Sequence, residues 1–190
     1  MAIYTYNVEQ LFNDQDPDLV RPYIAPLITW QDKKQRTTKC PVSYLIEEHR
    51  AGKASSHNLI INWNIDILQA HHLHLDAEIK WLRRGGGPDG ERHSEKAGMA
   101  LGFIYASVVL KQRIHHINRF RSPDLIYDPN PQAQKGIEVA GREKGGTTVL
   151  LKVRSHPKKF DAIAKNPRIA EAYLSLWCSK PTVSLWEQVK

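Results

Sequence analysis

Two acidic residues in the second half of the chain, Asp124 and Glu138, have the placement expected of ligands to a metal ion. Asp124 follows Pro123 at the start of a predicted strand, and Glu138 lies between Ile137 and Val139 on the next one. Carboxylates on adjacent strands can converge on one ion, and Mg²⁺ prefers carboxylate oxygens and water. A metal ion held between two such carboxylates could lower the pKa of an attacking water and so assist hydrolysis.

The elements that must position these carboxylates are most regular between residues 94 and 154. Ser94 is a predicted N-cap, and a long helix with a nearly all-apolar middle is predicted over 95–118, packed on several sides. Ser122, which precedes a proline, ends this helix. Three strands are predicted next, at 124–128, 136–143 and 147–154, the last two joined by a hairpin turn at 144–146.

The remainder of this region is predicted to contain a helix over 157–166 and strands over 172–178 and 183–189. The predicted order is therefore helix, three strands, helix, strand, with one further strand. Short connections favour a meander for the three middle strands. The fold class is α/β.

Residues 1–90 show a weaker pattern and are predicted to be mainly helical. Residues 42–48 favour the start of a helix, and apolar residues at mostly helical spacing run from Leu59 to Leu82, with a break near 69–72. The Gly- and Pro-rich stretch 84–90 opposes regular structure and forms the best internal boundary. We expect an N-terminal region, 1–90, packed on an α/β core formed by 91–190, in one compact unit.

This order of elements, with Pro123-Asp124 and Glu138 on it, resembles the core of the PD-(D/E)xK nuclease superfamily, the restriction-endonuclease-like fold, over residues 94–180. The resemblance implies an αβββαβ core and Mg²⁺- or Mn²⁺-dependent hydrolysis of DNA. It implies that Asp124 and Glu138 bind the metal, that the backbone carbonyl of Val139 joins them, and that Glu95 on the first helix is an additional metal contact. Such nucleases serve restriction, antiphage defence or interbacterial toxicity.

The sequence departs from this family at Ala140, where the family has a lysine that orients the water and stabilises charge. Strand periodicity places Arg142 and Lys144 on the same face as Glu138, and Lys152 could reach across the predicted hairpin. Arginine stays protonated, so Arg142 could stabilise charge but is a poor base. The alternative is a catalytically inactive module of the same fold that binds nucleic acid or a protein partner.

The net charge of +7 is unevenly distributed along the chain. Residues 1–90 have 10 Lys and Arg against 11 Asp and Glu, whereas residues 91–190 have 17 against 9, so the two regions carry −1 and +8. A basic half favours a polyanionic partner, most often nucleic acid. The resemblance implies DNA as the first choice and RNA as the second. Further basic residues either contact the phosphate backbone or form a solvated face: Arg154, Lys158, Lys159 and Lys165.

A second set of potential ligands, His72, His74 and Asp76, has the spacing of a partial zinc motif and leaves a zinc enzyme as a third hypothesis. The pair His115-His116 is predicted to lie near the end of the long helix. The N-terminus lacks the basic start and apolar core of a signal peptide, and no run is long enough to span a membrane. These features predict a cytoplasmic protein, with a homodimer or a partner protein possible through the N-terminal region.

Overall fold

A computed structural model of the chain describes residues 2–31, 40–85, 90–118, 121–156 and 163–190. The strands of these residues form one mixed sheet in the order β1-β3-β2-β8-β7-β6-β5-β4. The strands are β1 (Ala2–Asn7), β2 (Val42–Arg50), β3 (Lys53–Asn62), β4 (His116–Ile117), β5 (Leu125–Asp128), β6 (Gln134–Arg142), β7 (Ile169–Ser179) and β8 (Thr182–Gln188). The α-helices are α1 (Leu11–Asp14), α2 (Pro17–Gln31), α3 (Ile65–His71), α4 (Leu75–Arg83), α5 (Gly90–Tyr105) and α6 (Gly146–Arg154). The predicted α/β class is confirmed.

Among its described residues, the N-terminal region contributes three strands to the sheet beside four α-helices, so it is less helical than predicted. β1 and β3 are parallel, β3 and β2 form an antiparallel pair, and β2 runs parallel to β8. Residues 42–48, interpreted as the start of a helix, belong to β2, whose buried Tyr44 and Ile46 alternate with more exposed residues. The break predicted near 69–72 is close to the observed gap between α3 and α4. One sheet therefore runs through both halves of the chain.

The long helix of the second half begins earlier and ends earlier than predicted. α5 begins at Gly90, so Ser94 lies inside the helix and not at its cap. A π-helical turn, Ala106–Leu110, follows α5, and Lys111 then adopts the left-handed conformation with φ +55°. The predicted last two turns are instead an extended segment, and His116 lies in β4.

The predicted hairpin at 144–146 and its return strand at 147–154 are wrong, since these residues form α6. Gly145 and Gly146 have positive φ angles and begin the helix, and the N–H of Gly146 donates to the buried Sγ of Cys178 at 3.3 Å. Residues Gly146 and Leu150 are buried on one side of α6. This helical spacing outweighs the β-propensity of the Thr and Val residues, which depends strongly on context. Most of the helix predicted over 157–166 lies outside the described residues.

The sheet has an apolar core on each face, and each core is covered by a different helix. On one face α5 packs over alternate residues of β6 and β7, including Val139 and Trp177, and α2 packs against α5 in the same core. On the other face α6 packs through Leu150 against Ala140 and Leu176. No helix in the described part of the chain is long and apolar enough to cross a membrane.

Candidate active site

The candidate site lies at the edge of β6, where its neighbour β5 starts. The first residue pair of these antiparallel strands joins Leu125 to Ile137, and β6 continues for five further residues to Arg142. At this point the carboxylate Oδ2 of Asp124 accepts the backbone N–H of Val139 at 2.8 Å. A backbone donor in a partly buried place needs an acceptor, so this hydrogen bond holds the Asp124 carboxylate against β6.

Helix α5 reaches the same edge because glycines let it lie almost on the backbone of β6. A Cβ atom at Gly141 would be 1.9 Å from the carbonyl oxygen of Ser94, and one at Gly98 would be 3.0 Å from the backbone nitrogen of Gly141. One at Gly102 would be 2.7 Å from Cγ2 of Val139. The close contact places the first turns of α5, which contain Glu95, against the end of β6.

A cavity of about 730 Å³ opens between this edge, α2, α5 and β4. Five residues of the sequence hypothesis line it: Glu95, Asp124, Val139, Ala140 and Arg142. Two carboxylates, one guanidinium and the backbone of β6 thus meet at one open space. Such a set can hold a hard cation and bind an anionic substrate.

Glu138 is next to this cavity but is not among the described residues that line it. Continuing the register by one pair places Glu138 opposite Asp124, and its partner on the other side is Leu174 of β7. Strand alternation directs it to the face covered by α6, and it is 2% exposed. Asp124 and Glu138 are therefore neighbours, and Asp124 alone of the two reaches the cavity.

The predicted cations do not lie together. Arg142 lines the cavity, whereas Lys144 lies in the turn before α6 and Lys152 is exposed on α6. With the predicted hairpin replaced by a helix, Lys152 has no strand from which to reach Glu138.

Of the four residues predicted to contact nucleic acid, the structure describes Arg154, the last residue of α6, and Lys165. Arg154 donates from Nη2 to Oε1 of Glu187 at 2.5 Å, and this hydrogen bond raises the pKa of its guanidinium. Lys165 is exposed beyond α6, and Lys158 and Lys159 lie outside the described residues.

Sequence reasoning missed other residues that line the cavity: Asp18, Tyr23, Lys96, His116 and Asn118. His116 was assigned to a helix end, so its position depends on the early end of α5. No local pattern in the sequence predicts that Asp18 and Tyr23 of α2 line the same cavity as residues of β6. Sequence reasoning therefore could not identify them.

The three candidate zinc ligands do not meet. His72 is buried with Nε2 3.0 Å from Glu78, while His74 precedes α4 and Asp76 forms a salt bridge with Lys80. Among the described residues, no group of three or more His, Cys, Asp or Glu is placed to hold a metal ion. A Mg²⁺ site that uses two carboxylates with water and substrate oxygens does not require such a group.

Comparison of the chain with protein-family models, with curated proteins and with solved structures finds no match.

Proposed function

We propose that the chain is a divalent-metal-dependent nuclease that hydrolyses phosphodiester bonds in DNA. The observation that carries the proposal is the placement of Asp124, whose carboxylate is held against the N–H of Val139 in a cavity that Glu95 and Arg142 also line. The element order supports it: α5, β4, β5, β6, α6 and β7 repeat the helix, three strands, helix, strand order of the PD-(D/E)xK superfamily. β4 takes the place of the strand wrongly predicted at 147–154.

The donor set of the cavity fits Mg²⁺ or Mn²⁺. Mg²⁺ is usually bound through one or two carboxylates, with waters and substrate phosphate oxygens completing its shell. Asp124 and Glu95 supply two carboxylates, and the backbone carbonyl of Val139 is the third protein oxygen in this proposal. Bound there, the ion would polarise the phosphate and lower the pKa of an attacking water.

In this proposal the cations that line the cavity perform the role of the family's motif lysine, whose position is occupied by Ala140. Arg142 remains protonated and stabilises negative charge on the phosphate as it develops. Lys96 and His116 line the same space and can accept or donate protons near the attacking water. Lys144 and Lys152 have no role in this version of the site.

The alternative is an inactive module of the same fold that binds nucleic acid. Two observations favour it: Ala140 stands at the motif position, and the buried Glu138 is outside the described lining of the cavity. The module would retain DNA binding in EDTA and would cleave nothing in Mg²⁺ or Mn²⁺.

Plasmid cleavage tests the proposal directly. Purified wild-type protein is incubated with plasmid DNA in Mg²⁺, Mn²⁺ or EDTA, beside Asp124→Asn and Glu95→Gln. We expect cleavage that depends on the metal, and a loss of about 100-fold or more in Asp124→Asn, since a metal ligand is removed.

The matched control is Asp76→Asn, which removes a carboxylate on α4 that is paired with Lys80 away from the cavity. It should cleave like the wild type. Absence of cleavage by the wild type in either metal, with DNA or RNA, would refute the proposal, as would full activity of folded Asp124→Asn. Circular dichroism establishes that each variant is folded.

A further inference from the structure

An exposed basic segment follows α5 and leads to the cavity. From Lys96 to Pro123 the sequence contains five Lys or Arg and no Asp or Glu. After the left-handed residue Lys111 the backbone is extended. Four basic or imidazole side chains in this segment are exposed, and we call them the basic ledge: Lys111, Arg113, His115 and His116.

The buried side chain of Gln15 holds the backbone of the ledge. Gln15 is 1% exposed, and its Nε2 donates to Oγ of Ser107 at 2.8 Å and to the carbonyl oxygen of Gln112 at 3.0 Å. Its Oε1 accepts the N–H of Ile114 at 2.7 Å. One amide therefore ties the end of the helical segment to two backbone groups of the ledge, so the ledge is ordered before any ligand binds.

The other end of the ledge is joined to the candidate site. The N–H of His115 donates to the carbonyl oxygen of Ile126 at 2.8 Å, and the N–H of Asn118 donates to the carbonyl oxygen of Asp124 at 2.8 Å. His116, the last ledge residue, itself lines the cavity. A strand of nucleic acid lying on the ledge would thus pass directly to the Asp124 carboxylate.

The acidic residues closest in sequence to Gln15 are engaged by their own neighbours. Asp14 accepts a hydrogen bond from the Tyr6 hydroxyl at 2.7 Å, and Asp16 accepts one from the N–H of Asp18 at 2.9 Å. Asp18 is paired with Arg21 at 2.7 Å. These contacts compete with any attraction between the carboxylates and the ledge, whose cations remain directed to solvent.

We propose that the basic ledge binds the phosphate backbone of duplex DNA and guides it into the cavity. The inference rests on the proposed function for the place where the DNA is cut. It assigns DNA binding to the ledge, and not to the residues around α6 that the charge distribution suggested. Because the backbone of the ledge is already ordered, phosphate binding has to restrict only its side chains.

The test measures binding of a short fluorescein-labelled DNA duplex by anisotropy, in EDTA, at salt concentrations between about 50 and 200 mM. The ledge variant is Lys111→Asn with Arg113→Gln. Asparagine is chosen at position 111 because it tolerates the left-handed backbone. The control is Lys144→Gln with Lys152→Gln, which removes the same charge beside and on α6.

The ledge variant should bind the duplex about tenfold or more weakly. The slope of log K against log salt concentration is negative, and its magnitude should decrease by about 1.8, the value for two lost phosphate contacts to duplex DNA. The control should keep both the affinity and the slope within error, apart from a small general charge effect. Unchanged binding by the folded ledge variant would overturn the proposal, and so would an equal loss in the control. Tighter ledge-dependent binding of the matching RNA duplex would overturn DNA as the ligand.

The two proposals fail separately. Binding is measured without metal, so a protein that shows ledge-dependent binding and no cleavage refutes the nuclease and leaves the ledge intact. A protein that cleaves DNA but whose ledge variant binds normally refutes the ledge alone.

Discussion

The cavity and the surface around α6 both carry basic side chains, yet they differ in what surrounds these charges. On the rim, Arg142 borders an open space of about 730 Å³ that also contains the Asp124 and Glu95 carboxylates. Around α6, Arg154 is held by Glu187, and the helix packs through Leu150 onto a closed apolar core. The contrast teaches that charge along a sequence identifies a class of ligand, whereas the location of a site depends on where the packing leaves space.

A backbone feature explains why the cavity lies at this edge of β6. β5 begins opposite Ile137, so the last residues of β6 extend past it, and Asp124 satisfies the N–H of Val139. On its other edge β6 is paired along its length with β7. The end of a strand that extends past its neighbour leaves room for side chains and a ligand. A strand edge that is paired along its whole length leaves no such room.

The largest effect is expected from Gly141→Ala, which tests whether the rim depends on the close approach of α5. Its Cβ would lie 1.9 Å from a backbone oxygen of Ser94, an atom that cannot move without the helix. We expect a loss of about 3 kcal/mol in the free energy of unfolding, measured by urea denaturation. The control Gly85→Ala meets no atom within 4 Å but has φ +80°, and should cost about 1 kcal/mol. Equal losses of stability in the two variants would show that the cavity rim does not depend on the contact between Gly141 and Ser94.

An intermediate effect is expected from two substitutions of Asp124 that separate its structural role from its chemical one. Asp124→Ala removes the acceptor of the Val139 N–H and should cost about 1–3 kcal/mol. Asp124→Asn keeps an acceptor oxygen and should cost less, while both variants lose cleavage. Thermal unfolding of the two proteins makes the comparison. Identical stabilities would mean that the hydrogen bond contributes nothing to the rim.

The smallest effect is expected on the α6 side. Arg154→Gln removes the partner of Glu187, whose side chain is 11% exposed, and should cost about 1 kcal/mol by urea denaturation. Lys152→Gln on the same helix should change stability by less than about 0.5 kcal/mol. Neither should weaken DNA binding in EDTA. A loss of DNA affinity in Arg154→Gln without a loss of stability would show that the surface around α6 also binds DNA.

Part of the fold followed from local pattern. Pro123 before Asp124 and the alternation around Glu138 predicted β5 and β6 within two residues, and the two last strands were predicted within three residues. Local pattern does not predict the helix α6, because Thr147, Thr148 and Val149 favour strands. The pair Gly145-Gly146 before them is also typical of a hairpin turn. The β-propensity of a short segment is weak compared with the burial of one helical face.

The chain itself determined the chemistry that is available: an Asp after a proline, a Glu on the next strand, a missing lysine at Ala140 and an excess of positive charge in the second half. Only the tertiary structure decided which of these groups share a space. Gln15, 99 residues from Ile114 in the chain, sets where the segment after α5 runs, and Gly141 sets how close α5 lies to β6. Such contacts depend on packing between distant segments, which local periodicity does not encode.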